Sequence, residues 1–226
     1  MFRDPRGRPS RAWKLIPAAK HARIESIREM GNLPKNVVEL SRAIGDAGGR
    51  AMLVGGCVRD ELMGIEPQDW DLEVYGVEPG LLRTMLEAHG RVDAVGEAFT
   101  VYKLGQDLDV ALPRRDRKVG RGHRGFVIEG DPNMSYEEAC SRRDFTVNAI
   151  LKDPLSGEMI DPFDGAGDIE RKVLRHVSEA TFAEDSLRVL RAAQFAARLE
   201  FDIAPETGEL CRSIDVTYLT KERIWG

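Results

Sequence analysis

The chain has 226 residues, a formal net charge of −5 and apolar side chains at 42% of positions, enough for one large or two small folded domains and without an overall positive field to draw it onto nucleic acid. Cys57, Cys140 and Cys211 are widely spaced and form no CxxC pair, and His21, His89, His123 and His176 form no HxxxH pair, which argues against a disulfide framework or zinc knuckle and for a reducing compartment. No run is apolar for long enough to span a membrane and none reads as a secretory h-region, so the cytosol is the expected compartment.

In residues 1–34, Arg3, Arg6, Arg8 and Arg11 stand among Pro5, Gly7 and Pro9. This reads as a flexible basic extension; a solvated terminus is the plainer reading beside RNA contact or an organelle presequence. Val37, Val38, Leu40 and Ile44 recur at helical spacing, predicting a helix over 36–48 closed by Gly48 and Gly49. Ala51-Met52-Leu53-Val54 is an apolar run of strand length that ends on Gly55-Gly56, where the backbone can turn sharply and approach a ligand. A short helix is expected over 57–63, its first N–H groups turned back toward the glycine turn, with Arg59 as a guanidinium fork suited to phosphate oxygens. That is a triphosphate cradle in outline, different from a GxxxxGK[ST] loop; an ordinary strand-to-helix turn has the same local pattern.

Asp69-Trp70-Asp71-Leu72-Glu73-Val74-Tyr75 alternates as a strand does, so Asp69 and Asp71 share one face while Trp70 and Leu72 point to the core. Two carboxylates so placed repel. A divalent cation between them resolves the repulsion, and hard oxygen ligands select magnesium or manganese over zinc; the plain alternative is a solvated edge. A third carboxylate is expected if two metals clamp a phosphoryl transfer, and Asp109, between the strand formers Leu108 and Val110, fits better than the turn-like Asp107. Between these lie a predicted amphipathic helix over 79–89 with Pro79 at its start and strands over 92–95 and 99–104. Helices returning between strands predict a mixed α/β head with its site at one strand end.

Residues 112–136 lack periodicity. Over 114–125, Arg114, Arg115, Arg117, Lys118, Arg121 and Arg124 stand against Asp116 alone, among Gly120, Gly122 and Gly125. The segment is expected to be a mobile loop that touches RNA or triphosphate phosphates, or else a solvated surface loop. A helix from Tyr136 leads to Arg142-Arg143-Asp144, and a hairpin is predicted over 151–160 around Pro154-Leu155-Ser156-Gly157. Asp161 to Ile169 reads as a glycine-rich turn with capping aspartates. Thr181-Phe182-Ala183-Glu184 has capping-box form, and Leu187, Leu190 and Ala193 or Ala197 continue a helix from it. Glu184, Asp185, Arg188 and Arg191 are spaced three and four apart along that helix, where intrahelical salt bridging is the plain reading.

Gly55-Gly56-Cys57-Val58-Arg59-Asp60, Asp69-Trp70-Asp71, Arg142-Arg143-Asp144-Phe145-Thr146-Val147-Asn148-Ala149 and Glu184-Asp185-Ser186-Leu187-Arg188-Val189-Leu190-Arg191 occur in that order. Together they resemble the successive motifs of class II tRNA nucleotidyltransferases and the related bacterial poly(A) polymerases. The resemblance implies a nucleotidyltransferase head over 35–165 and the start of an all-α neck over 166–226, incomplete and without the helical body and tail that grip tRNA. A truncated chain and a reduced enzyme both fit that reading. It further implies transfer of C and/or A from CTP and ATP to the 3′ end of tRNA, with two Mg2+ ions on Asp69 and Asp71 and Asp109 assisting. Arg143 would bind phosphate, Asp144 would accept the ribose 2′-OH, Asn148 would brace the loop, and Gly55, Gly56 and Arg59 would hold the triphosphate. Asp161 to Ile169 resembles the family's third motif, with a hinge role, and the basic segment lies where the family carries a flexible loop. An Asp185–Arg188 pair can copy a base-pairing edge, receiving from the exocyclic amine and donating to the ring nitrogen of cytosine or adenine, with Arg191 in support. Gln194 stands where the family commonly has another arginine. A poly(A) polymerase, an enzyme adding only part of CCA, and a non-catalytic RNA-binding module are the alternatives; oligomeric state stays open.

Overall fold

The computed structural model describes residues 33–95, 101–118 and 126–219. Helix α1 (Lys35–Asp46) buries Val37, Leu40 and Ile44 on one face. It closes in a Schellman motif: Gly48 takes φ +86°, and the N–H groups of Gly48 and Gly49 donate to the carbonyls of Gly45 and Ile44 at 3.0 and 2.9 Å. Strand β1 (Arg50–Val54) follows and turns at Gly55 into α2 (Gly56–Leu62). Strand β2 (Trp70–Tyr75) and α3 (Pro79–His89), with Pro79 in its first turn, come next. Then β3 (Val92–Val95), at the sheet edge, β4 (Val101–Leu104) and β5 (Leu108–Ala111) lead back inward to β2. Phe99 and Thr100, expected in the second of these strands, lie outside the described residues.

After the β6–β7 ribbon described below, the chain forms α4 (Tyr136–Ser141), a 3-10 turn (Thr146–Asn148), β8 (Leu151–Lys152) and β9 (Met159–Ile160). The main sheet has seven strands in the order β3-β4-β5-β2-β1-β8-β9. All its pairings are antiparallel except β2 with β5, which run parallel with Asp71 opposite Asp109. Because β1 is covered on both faces, it reads as an unbroken apolar run. Ala51, Leu53, Leu72 and Val74 share one face, where α1 packs on β1 and on α3. Met52, Val54 and Tyr75 share the other with Ala149 and Leu151 and meet Met134, Ala139 and Cys140 there. Asp71, Glu73 and Asp109 stand on this second face.

The expected loop over 112–136 is corrected by a two-stranded antiparallel ribbon, β6 (Arg114–Lys118) with β7 (Phe126–Gly130). Arg-Arg-Asp-Arg-Lys carries no apolar alternation, so nothing in that run alone signals a strand; pairing with Phe126–Gly130 supplies it. Arg121, Arg124, Gly120, Gly122 and Gly125 lie outside the described residues.

The remaining chain forms α5 (Gly165–Arg171), β10 (Val173–Leu174), α6 (Glu179–Ala183), α7 (Leu187–Leu199), β11 (Asp202–Ile203) and α8 (Pro205–Ser213). Asp161 caps α5, its carboxylate accepting from the N–H groups of Gly165 and Ala166 at 2.8 and 3.0 Å. The capping-box reading at Thr181 is corrected: Thr181 lies inside α6 and donates to the carbonyl of Ser141 at 2.9 Å. A new helix starts at Leu187, whose N–H donates to Asp185 Oδ1 at 3.0 Å. A second core joins Phe145 and Val147 to Leu174, Phe182, Ala192, Leu199 and Phe201. It ties the Arg142-to-Ala149 motif to the helices that follow. The described residues form one compact unit.

Candidate active site

Gly55 adopts φ +72°, a conformation that L side chains rarely take, and a Cβ there would lie 3.4 Å from Arg143 Nη1 and 3.5 Å from Asp71 Oδ2. The turn thus brings the tip of a guanidinium and the tip of a carboxylate over one bare backbone position. Asp69 is exposed in the bend just before β2, Asp71 is half-buried within it, and Asp109 is half-buried beside Asp71 on β5. Trp70, expected to be a core residue with Leu72, is only partly buried, whereas Leu72 is 1% exposed.

Burial pushes the Asp71 carboxyl above its ordinary range, against the pull of Arg143, and the charges of Asp109 and Asp69 push it the same way. The acid pair is therefore undercompensated. Lys103 answers part of it, its Nζ lying 3.1 Å from Asp109 Oδ1 and 3.2 Å from Oδ2. Held there, Asp109 does not complete a set of three ligands with Asp69 and Asp71, and no such set stands preassembled among the described residues.

Asp69 and Asp71 line a cleft of about 580 Å3 together with Gly55, Gly56, Arg59, Arg143, Asp144, Asn148 and Arg191. Burial pushes the thiol of Cys57, on the same wall, up to about 11, so it faces the cleft as a neutral group. A second cleft of about 450 Å3 shares Arg143, Asp144 and Arg191 and adds Glu73, Arg114, Arg142, Asp185 and Arg188.

The shared wall is one hydrogen-bonded chain. Asp144 is 8% exposed. Its Oδ1 accepts from the Phe145 N–H at 2.9 Å and Asn148 Nδ2 at 3.1 Å, and its Oδ2 accepts from Arg191 Nε at 2.8 Å and Nη2 at 2.7 Å. Asn148 Oδ1 in turn accepts from Arg59 Nη1 at 2.7 Å. Arg59, expected to offer a guanidinium fork to phosphate oxygens, lines the first cleft from a buried position. Its guanidinium is 2% exposed, with Nε and Nη2 on Asp60 Oδ1 at 2.8 and 2.6 Å, because α2 turns it inward beneath the 3-10 turn.

Asp185 and Arg188 both line the second cleft, but they do not share a helix, since Asp185 precedes α7. Arg188 donates to the carbonyls of Thr181 at 2.8 Å and Arg142 at 2.7 Å, and burial lowers its pKa. Of the basic set, Arg115 pairs with Asp131 at 2.7 Å and Glu138 at 2.6 Å, which anchors the ribbon to α4. Arg114 lines the second cleft, and Arg117 and Lys118 continue β6.

Three residues that sequence reasoning passed over stand in these walls. Phe195 is flanked by the guanidinium carbons of Arg59, Arg191 and Arg198 at 5.4, 5.0 and 5.2 Å from its ring centroid. The signal was present: 191, 195 and 198 fall on one helical face. Glu73 shares a face with Asp71 two residues earlier, an i, i+2 relation legible once β2 is called a strand.

Residues 51–175 match the family model described as the poly A polymerase head domain. The chain is 44% identical over 186 residues to the multifunctional CCA protein of Xylella fastidiosa (strain M23), covering 78% of this chain and 43% of that protein. It is 47% identical over 183 residues to the protein of the same name in Stenotrophomonas maltophilia (strain K279a), with 76% and 43% covered. Among solved structures it resembles the Bacillus stearothermophilus CCA-adding enzyme in complex with CTP at a TM-score of 0.65 and 30% identity, over 79% of this chain and 43% of that one. The chain thus spans less than half the length of the relatives it matches. With the family model covering more than half of its residues and the acid strand and arginine-lined clefts falling within the matched region and its flank, the chain belongs to the poly A polymerase head-domain family, which unites class II tRNA nucleotidyltransferases and poly(A) polymerases.

Proposed function

We propose that this chain is the catalytic head of a template-independent RNA nucleotidyltransferase that adds C, A or both, from CTP and ATP, to the 3′ end of tRNA. The observation that carries the reading is the in-register pair Asp71 and Asp109 on parallel strands, set beside a cleft walled by Arg143, Asp144 and Arg191. The relatives' name, CCA protein, supports the sequence added, and CTP in the solved neighbour supports the nucleotide.

The donor set fits a hard divalent cation, magnesium by its chemistry: Asp69 and Asp71 would hold it, with Asp109 joining on release from Lys103. Bound there, such ions supply positive charge to the reacting phosphate and ease deprotonation of the attacking hydroxyl. The rest falls to the chain's own side chains. Arg143 meets phosphate oxygens at the Gly55 turn. Asp144 exchanges one of its donors for the ribose 2′-OH, and Asp185 with Arg188 reads the base edge in the second cleft once Arg188 leaves its carbonyl partners. In the reaction the RNA 3′-oxygen bonds to the α-phosphorus as the bond to pyrophosphate breaks, with no covalent enzyme intermediate.

Poly(A) synthesis is the second reading, favoured by the family model's own description. The deciding test is a gel assay with magnesium and tRNA transcripts ending at the discriminator base, at C and at CC, offered each triphosphate singly and together. Extension that stops within CCA supports the proposal and says which part is added. Long A tails favour the polymerase, and the absence of any transfer by this chain and by a chain of the relatives' length overturns both.

A further inference from the structure

Arg143 is an anomaly in the first cleft. Its guanidinium has five N–H donors, yet its buried Nε has no hydrogen-bond partner among the described residues. Its single hydrogen bond there is a long one, Nη2 to Glu73 Oε1 at 3.4 Å. Glu73 is held far more firmly from behind. Its Oε2 accepts from the Tyr75 hydroxyl at 2.6 Å, and Tyr75 is 6% exposed, its ring edge-on to Tyr136 at 4.6 Å between centroids. The carboxylate is thus fixed to the sheet while the arginine it touches is barely fixed at all. On its other side Arg143 Nη1 comes up to the same bare glycine, Gly55, that Asp71 Oδ2 reaches. A bidentate Arg143–Asp71 pair would be the stronger contact, and it would occupy the carboxylate needed for a cation.

We infer that Glu73 is a positioning residue: anchored by Tyr75, it draws Arg143 away from Asp71, leaving Asp71 to a divalent cation and Arg143 free to meet a phosphate. The inference rests on the metal reading proposed above and adds Glu73 and Tyr75 to it. A residue behind a metal ligand typically alters affinity by ~10- to 100-fold when lost.

The experiment measures Mn2+ binding by electron paramagnetic resonance, without nucleotide or RNA, on the whole chain and on Glu73→Gln, Tyr75→Phe, Arg143→Ala and the Glu73→Gln/Arg143→Ala double variant. Glu73→Gln weakens Mn2+ binding by ~10-fold, at the low end of that range, and Tyr75→Phe weakens it less. In the Arg143→Ala background Glu73→Gln has no further effect, because the arm that would block Asp71 is gone. Equal weakening in both backgrounds would reduce Glu73 to a nearby negative charge and overturn the inference, as would no weakening in either. If the unmodified chain and Asp71→Asn bind Mn2+ equally, the metal reading itself fails, whatever Glu73 does.

Discussion

Asp144 is the residue through which the candidate site is held together, and its four donors set what its neighbours are worth. Replacing Asn148 with Ala removes one donor to Asp144 and leaves Arg59 Nη1 buried without its acceptor. The expected loss is about 1–3 kcal/mol, read as a melting temperature lower by roughly 2–4 °C per kcal/mol, together with a raised KM for nucleotide. His176 gives a separate handle on pH. Thr207 Oγ1, fully buried, accepts from the His176 backbone N–H at 3.0 Å and lies 2.8 Å from Nδ1. Burial lowers the imidazole pKa, with Arg175 adding to the effect and Glu179 opposing it. A depressed histidine pKa means the unfolded chain binds more protons in the window below its ordinary value of about 6.5, so stability is whole above that pH and falls as the medium is acidified through it. Thermal melts from pH 7.5 down to pH 5.5 are expected to show that decline, and His176→Asn, which keeps an acceptor for Thr207, is expected to flatten it.

At the scale of the element, the glycine pair after α1 separates two ways in which a methyl group harms a turn. At Gly48 a Cβ would meet nothing within 4 Å, so Gly48→Ala carries only the backbone cost of φ +86°, about 1–2 kcal/mol. At Gly49 the Cβ would collide with Val77 and lie 2.8 Å from the Tyr75 carbonyl oxygen, so Gly49→Ala is expected to destabilise more, and denaturant midpoints of the two variants check the order. These elements were legible because apolar period and punctuation agreed: α1, β1, α2, α3 and the strands around Asp71 and Asp109 stand within a residue or two of their expected limits. The ribbon was not legible, since Arg114–Lys118 has no apolar face to announce a strand. Nor was the break before α7, where Asp185 takes the Leu187 N–H and ends a helical spacing that looks continuous in sequence. The same break explains why the site was read in part: the spacing placed Asp185 and Arg188 on one helix, whereas they meet across its start. The placement of Asp71 and Asp109 needed only strand assignment and one pairing, while Asp69 falls in the bend before β2 and the partners of Arg59 and Arg143 depend on contacts between distant segments that no local pattern carries.

For the molecule as a whole, the undercompensated acid pair makes stability depend on what binds it. Asp71 has a raised pKa, so the folded chain binds more protons than the unfolded one just above the ordinary carboxylate range, and stability from this group declines as pH rises through that interval. At neutral pH without divalent ions, Asp71→Asn is therefore expected to melt higher than the unmodified chain and, on the proposed function, to lose nucleotidyl transfer. Magnesium is expected to raise the melting temperature of the unmodified chain and to do much less for the variant, since an ion that binds only the folded state stabilises it by mass action. The second core carries the complementary cohesion. Phe145 and Val147, which follow Asp144 by one and three residues, are buried with Ala192, the neighbour of Arg191, so the two ends of the Asp144–Arg191 ion pair are set by one packed cluster.

The parallel pairing of β2 with β5 in an otherwise antiparallel sheet has a consequence for the order of events in folding. Antiparallel neighbours such as β1 and β2 can zip from a local connection, but a parallel neighbour requires the chain to travel out and back, here through α3, β3 and β4, before Asp109 arrives opposite Asp71. Closing that excursion is an entropic debt settled late, after the hairpins inside it have formed. A chain still leaving the ribosome therefore has the glycine turn and the first acidic strand before it has the acid pair, which is complete only with the insertion of one four-residue strand.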